Sequence, residues 1–221
     1  MMQFDKAVIL VGQGEVNESR LTDMARHHPI IALDGGLLKL ERLGLEAEWV
    51  IGDMDSIPQK LASHYADKMI KIDEQDSNDF EKALYAIKAP LFIGFGLLGG
   101  RFDQVMATLH GMIKYHLRKK LMIVSAYEVL ICVMGQVKIT LPADCACAIL
   151  PIRPISFSSS SGLRWPVDGL RLEIGGTISS SNHLIGTELV LVPDDQDMQT
   201  PYLISCAPIA IDSLMRYLRK C

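Results

Sequence analysis

The chain has no apolar run long enough to cross a bilayer. Charges or turn residues interrupt every hydrophobic stretch before the roughly 20 residues that a spanning helix needs. The opening Met1-Met2-Gln3-Phe4-Asp5-Lys6 lacks the apolar segment of a secretory signal, so the expected location is cytoplasmic. Zinc-site spacing is also missing. Cys145 and Cys147 lie two apart without a second pair or nearby histidines, and residues on one face of a strand do not bridge each other. They read as small buried apolar groups. There is no excess of positive charge: 22 Lys and Arg stand against 26 Asp and Glu, a formal net charge of −4. That excludes the broad basic footprint of a nucleic-acid binder, and any phosphate must be held locally by a few groups or by a metal. Walker-type and Gly-x-Ser-x-Gly patterns do not occur. Gly94-x-Gly96-x-x-Gly99 has the bare spacing of a dinucleotide fingerprint. No acidic ribose ligand follows about 20 residues on, however, and Arg101 interrupts the expected helix start.

What is present is a chain of 221 residues, 49% apolar, enough to bury a real core in one large domain or two small ones. Short apolar runs at 7–11, 30–33, 49–51, 69–72, 91–93 and 121–124 read as buried strands. Amphipathic stretches at 18–28, 37–43, 58–66, 79–87 and 102–117 alternate with them. This order predicts an α/β domain over residues 1–125, a doubly wound, mostly parallel sheet with helices on both faces. From residue 126 to 221 the pattern becomes short strands broken by Gly, Pro, Asn and Asp, at 130–134, 137–141, 147–151, 170–174 and 188–191. That predicts a small β-sandwich or barrel domain, followed by a terminal helix at 209–219. The serine run 158–161 reads as a loop.

Four loops follow predicted strands of the first domain: Asp34-Gly35-Gly36, Gly52-Asp53-Met54-Asp55-Ser56, Glu74-Gln75-Asp76-Ser77-Asn78-Asp79, and Gly94 through Asp103. In a parallel sheet they project from one edge, where such folds bind ligands. That edge then carries Asp34, Asp53, Asp55, Asp76, Asp79 and Asp103, with glycines and Arg101. Six carboxylates on one rim repel each other unless a cation sits among them. Oxygen ligands suit Mg²⁺, close backbone N–H groups suit phosphate, and arginine forks onto phosphate. A lone Asp-x-Asp is weak, since sixteen aspartates yield about one such pair by chance; agreement among four loops carries the metal-and-polyphosphate reading. Asn78 with Glu81 three residues later also forms a capping-box pattern that would aim Asp79.

Taken together, these segments resemble the thiamine pyrophosphokinase family. That family shows Asp-Gly-Gly, Gly-Asp-x-Asp-Ser, Asp-x-x-Asp-Phe-x-Lys and Gly-Gly-Arg-x-Asp in this order. Here they stand as Asp34-Gly35-Gly36, Gly52 to Ser56, Asp76 to Lys82 and Gly99 to Asp103. Gly162-Leu163-Arg164-Trp165-Pro166 and Gly176 to Asn182 look like the family's C-terminal thiamine-site segments. Asn78 replaces the usual Thr, and Leu37-Leu38 replace the usual Ala-Asn. The resemblance implies transfer of a diphosphate from ATP to the hydroxyethyl oxygen of thiamine, with release of AMP. It implies Asp53, Asp55 and Asp79 as Mg²⁺ ligands, and Asp34, Gly35, Gly36, Gln75, Asp76 and Arg101 around the nucleotide and its phosphates. Asp103 becomes a proton acceptor or a thiamine ligand. Trp165, Ser179, Ser181 and Asn182 become thiamine contacts. It further implies a homodimer with shared sites, and neither nucleic-acid nor membrane partners. A pyrophosphokinase for a pterin alcohol, or a non-catalytic thiamine- or nucleotide-binding module, are the alternatives.

Overall fold

The computed structural model describes residues 2–220. The chain divides into two compact units, residues 1–126 and 127–221. In the first, the strands are β1 (Met2–Gln3), β2 (Val8–Val11), β3 (Ile30–Leu33), β4 (Trp49–Gly52), β5 (Met69–Lys71), β6 (Ile87–Lys88), β7 (Phe92–Phe95) and β8 (Leu121–Val124). The helices are α1 (Glu18–Ala25), α2 (Gly36–Leu43), α3 (Gln59–His64), α4 (Asp79–Ala86) and α5 (Phe102–Tyr115). Within this unit β8, β7, β2, β3, β4 and β5 lie side by side, every pairing parallel. Strands β2, β3, β7 and β8 are buried along their whole length, the signature of a sheet covered on both faces. A separate two-stranded parallel pair joins β1 to β6, which the apolar pattern did not announce.

From β2 the chain steps outward through β3, β4 and β5, then returns to place β7 on the other side of β2. The strand order therefore reverses between β2 and β7, and the crevice beyond their carboxyl ends is the place where open α/β sheets take ligands. Two close backbone approaches shape this edge. A methyl group on Gly36 would stand 1.9 Å from the Val11 carbonyl oxygen, so only glycine lets α2 start against the end of β2. Gly96 has φ +65°, and a Cβ there would meet the Gly12 carbonyl oxygen at 2.5 Å. The loops after β2 and β7 are thereby pressed together, with Gly14 N–H donating to the Gly96 carbonyl at 2.8 Å.

The second unit contains β9 (Val129–Met134), β10 (Val137–Thr140), β11 (Ala146–Pro151), β12 (Ile155–Ser161), β13 (Arg171–Leu172), β14 (Ser179–His183), β15 (Glu188–Pro193) and β16 (Pro201–Cys206), then α6 (Ile211–Lys220). They form two four-stranded antiparallel arrays, β9-β16-β11-β14 and β10-β15-β12-β13. Alternation sets the inner faces: Val137 and Ile139 are buried while Lys138 and Thr140 are exposed. Phe157 of β12 meets Tyr202 of β16 edge to face, centroids 5.3 Å apart, and so joins the inner faces of the two arrays. Helix α6 buries Ile211, Leu214, Met215 and Leu218 on one face. Cys145, Cys147 and Cys206 are free and buried.

An α/β unit followed by an antiparallel β unit matches the expected fold class. The serine run 158–161, expected as a loop, instead ends strand β12. Its backbone pairs with β15 across a register shift between Phe157 and Ser159. Ladder bonds outweigh serine's weak strand preference here, while Ser158 Oγ donates to the Val192 carbonyl and Ser160 Oγ to Asp168. The segment 170–174 shrinks to the two residues of β13. Among the described residues no helix is long and apolar enough to cross a membrane.

Candidate functional site

The carboxyl edge of the parallel sheet opens into a cavity of about 610 Å³. Its wall includes Gly12, Gln13 and Gly14 after β2, Asp34 after β3, and Asp53, Asp55 and Ser56 after β4. Gln75, Asn78, Asp79 and Lys82 come from the entry to α4, and Gly99, Gly100, Arg101, Gln104 and Thr108 from the entry to α5.

Carboxylate oxygens of Asp34, Asp53 and Asp55 lie within 4.8 Å of one another. Asp34 is buried, Asp53 half-buried and Asp55 exposed, so the trio runs from the floor of the cavity to solvent. One oxygen of Asp34, Oδ1, is buried without a hydrogen-bond partner. Such an orphan acceptor is costly, and a hard divalent cation bound by oxygen satisfies it. The backbone is also unusual here. Asp34 (φ 42°), Met54 (φ 69°) and Ser181 (φ 57°) are three of the four non-glycine residues with left-handed backbone among the described residues. Strain of this kind persists where the surroundings over-determine it, and Asp34 and Met54 fall within the acidic trio's own loops.

Asp79 begins α4. Asn78 is its N-cap, with Oδ1 accepting the Glu81 N–H at 2.9 Å. Glu81 answers through its side chain, accepting from Asn78 Nδ2 at 3.2 Å rather than from the capping residue's backbone. Glu81 also takes the Lys114 ammonium at 2.7 Å, tying α4 to α5. Burial raises the Asp79 pKa above the ordinary carboxylate value; the Lys82 ammonium, 3.3 Å away, opposes this, while Asp34 and Asp53 add to it. Lys82 is itself almost wholly buried, with 3% of its side chain exposed. Replacing Asn78 by Ala is expected to cost about 1 kcal/mol in urea unfolding, and Asn78→Thr to retain most of it, because threonine also caps.

The turn before α4 is organised by Glu74, which accepts from the backbone of Asp76 at 2.7 Å and Ser77 at 3.0 Å, and from the Tyr85 hydroxyl at 2.9 Å. Hydrogen bonds led by the Ser77 hydroxyl hold its carboxyl down at about 2. Gln75 is thereby presented to the cavity, whereas Asp76 is exposed outside its wall. At the start of α5, Arg101 forks onto Asp103, with Nε to Oδ1 at 3.1 Å and Nη2 to Oδ2 at 2.5 Å. The guanidinium keeps the Asp103 carboxyl below its ordinary value.

The structure thus brings Asp34, Asp53, Asp55, Asp79, Gln75 and Arg101 to one cavity. Gly35 and Gly36 are not part of its wall: both are buried, Gly35 beneath the Gln13 side chain and Gly36 against Val11. Asp34, expected near the nucleotide, groups with Asp53 and Asp55, while Asp79 is paired with Lys82. Lys82 and Gln13 were not among the expected site residues. Lys82 stands three positions after Asp79, the spacing that puts two helical side chains on one face. Gln13 lies between two glycines after the first strand, where the order reversal points.

In the second unit Trp165 is 54% exposed. The Arg164 guanidinium lies 5.0 Å from its ring centroid and the His183 ring meets it at 6.4 Å. Ser181 is exposed and Ser179 half-buried. Asn182, expected to face a substrate, is 2% exposed.

Two family models match the chain. "Thiamin pyrophosphokinase, catalytic domain" covers residues 22–125, and "Thiamin pyrophosphokinase, vitamin B1 binding domain" covers residues 136–198. Thiamin pyrophosphokinase 1 of Caenorhabditis elegans is 28% identical over 179 residues, 73% of this chain and 73% of that protein. Thiamine pyrophosphokinase 1 of Arabidopsis thaliana is 28% identical over 167 residues, 66% of this chain and 61% of that protein. In fold, the yeast thiamin pyrophosphokinase structure superposes with a TM-score of 0.79 at 18% identity, over 96% of this chain and 89% of that one. The Geobacillus thermodenitrificans enzyme gives 0.77 at 22%, over 91% and 97%. With both of its units matched by models of a single family, the chain belongs to the thiamin pyrophosphokinase family.

Proposed function

We propose that the chain is a diphosphotransferase that moves the terminal diphosphate of ATP to the hydroxyethyl oxygen of thiamine. The hydroxyl oxygen forms a bond to the β-phosphorus, the bond from that phosphorus to the α,β-bridging oxygen breaks, the hydroxyl proton passes to solvent, and AMP leaves with the bridging oxygen. The observation that carries this reading is the acidic trio Asp34, Asp53 and Asp55, with one buried Asp34 oxygen unpartnered, lining the cavity at the sheet edge where strand order reverses.

The donor set fits Mg²⁺: all oxygen, three carboxylates, and room for phosphate oxygens beside them. Asp34, Asp53 and Asp55 would hold it, with Asp79 adjacent, and when bound it supplies charge neutralisation for the polyphosphate. Gln75, Lys82 and Arg101 offer donors to phosphate oxygens from the same wall. Asp103 suits the anchoring of Arg101 or of thiamine better than general base work, because a carboxyl held below its ordinary pKa accepts a proton poorly. Trp165 presents an aromatic face to thiamine, and Ser179 and Ser181 offer hydroxyls. The protein acts in the cytoplasm as a homodimer on this reading.

The test follows products: incubation with ATP, Mg²⁺ and thiamine is expected to yield AMP and thiamine diphosphate in equal amounts. No AMP with thiamine, but AMP with a hydroxymethyl pterin, would replace this reading by the pterin one.

A further inference from the structure

Asn182 sits in β14 opposite Cys147 of β11 and is 2% exposed. Its side-chain amide is fully occupied. Oδ1 accepts the backbone N–H of Trp165 at 3.2 Å and of His183 at 2.9 Å. Nδ2 donates to the Trp165 carbonyl at 2.7 Å and to Ser179 Oγ at 3.0 Å. An asparagine amide has two donor hydrogens and one oxygen with two acceptor positions. All four are used, so none remains for a ligand. One buried side chain therefore grips both backbone polar groups of a residue whose indole is mostly in solvent. The neighbouring backbone reinforces the grip: Arg164 N–H donates to the His183 carbonyl at 2.8 Å, and Leu163 bridges Leu184.

We infer that Asn182 is a positioning residue that acts through Trp165, holding its ring in the orientation that receives thiamine, and is not itself a substrate ligand. The inference rests on the proposal that Trp165 contacts thiamine. Its physical basis is preorganisation: an exposed aromatic side chain on an untethered segment loses conformational freedom on binding, and a segment already fixed by two bonds to Asn182 and one to the His183 carbonyl avoids that loss.

A double-mutant cycle on the full chain decides it. Trp165→Ala and Asn182→Ala are each expected to raise the KM for thiamine about tenfold or more, with the KM for ATP unchanged. The double variant is expected to be no worse than Trp165→Ala alone, because Asn182 then has nothing to position. Effects that multiply overturn the inference and make Asn182 an independent contact. An Asn182→Ala variant that unfolds at lower temperature but keeps the wild-type thiamine KM also overturns it. Should Asn182→Ala fail to fold, Asn182→Asp serves, since it keeps the shape and the acceptor but loses the Nδ2 donor. Fluorescence anisotropy supplies a readout independent of turnover. In a Trp49→Phe background Trp165 is the sole tryptophan of a chain that has two, and the Asn182 variants should lower its anisotropy. A thiamine KM unaffected by Trp165→Ala would refute the proposed thiamine site itself, a result distinct from unchanged anisotropy in the Asn182 variants, which refutes the clasp.

Discussion

Asp53→Asn is expected to lower turnover at least about a hundredfold while leaving the fold intact. The carboxylate of Asp53 lies within 4.8 Å of those of Asp34 and Asp55, on the loop that closes β4. Asparagine keeps the shape and removes the charge. In phosphoryl transfer nearly all catalysis is positioning and charge neutralisation, and loss of one such preorganised group costs about 3 kcal/mol, or about two orders of magnitude. Stability moves the other way. Without a metal the cluster repels itself, as the contributions of Asp34 and Asp53 to the raised pKa of Asp79 show. The metal-free variant should therefore melt at or above the wild-type temperature, while the stabilisation that wild type gains from Mg²⁺ shrinks. Asp34→Asn should behave the same way, because its Oδ1 is the buried oxygen without a partner. Steady-state rates together with thermal unfolding with and without Mg²⁺ check both. An Asp53→Asn enzyme with wild-type turnover and an undiminished Mg²⁺ shift would show that the metal lies elsewhere.

The acidic cavity was legible because most of its loops follow strands that are buried along nearly all their length. A short apolar run ending in Asp or Gly-Asp is an unambiguous pattern, and in a parallel sheet all such endings share one edge. All six strands of that sheet were recognised with ends within two residues. The second unit was read less well. Strand β16 is buried along nearly its whole length and begins at a proline, so neither alternation nor a flanking turn distinguished it. Strands β12 and β14 are largely serine, whose side chains promise loops. Their pairing is set by partners far along the chain, which no local pattern reveals. Local contacts within the site were hidden for a similar reason. Gly35 and Gly36 looked like phosphate-binding glycines, but their small size serves the contact of α2 with Gln13 and Val11. Asn182 looked like a polar ligand residue, and only its burial shows that every hydrogen-bonding position is already filled. Sequence reveals which residue types gather; which atoms are left over depends on packing.

Lys82→Met should impair the enzyme in a way that depends on pH. Lysine is seldom buried without a charged partner, and Lys82, with 3% of its side chain exposed, has Asp79 at 3.3 Å. Methionine keeps the length and removes the charge. Asp79 then faces burial and the charges of Asp34 and Asp53 with no opposing ammonium from Lys82, so its pKa climbs further. A carboxyl whose folded pKa exceeds its unfolded value stabilises the fold at low pH, and that contribution is lost as pH rises through the folded pKa. The metal-free variant should accordingly lose stability relative to wild type between the ordinary carboxylate range and neutral pH, and the two should converge at acid pH where Asp79 is protonated in both. Removing one partner of a fully buried ion pair costs about 3–5 kcal/mol; with 31% of the Asp79 side chain in water, about 2 kcal/mol is expected at neutral pH. Turnover should fall about ten- to a hundredfold, since the same ammonium lines the cavity beside the proposed phosphate site. Thermal unfolding against pH in the presence of a chelator, on wild type and variant together, makes the measurement. Curves that run parallel from acid to neutral pH would show that Lys82 does not govern Asp79, and that its burial serves packing alone.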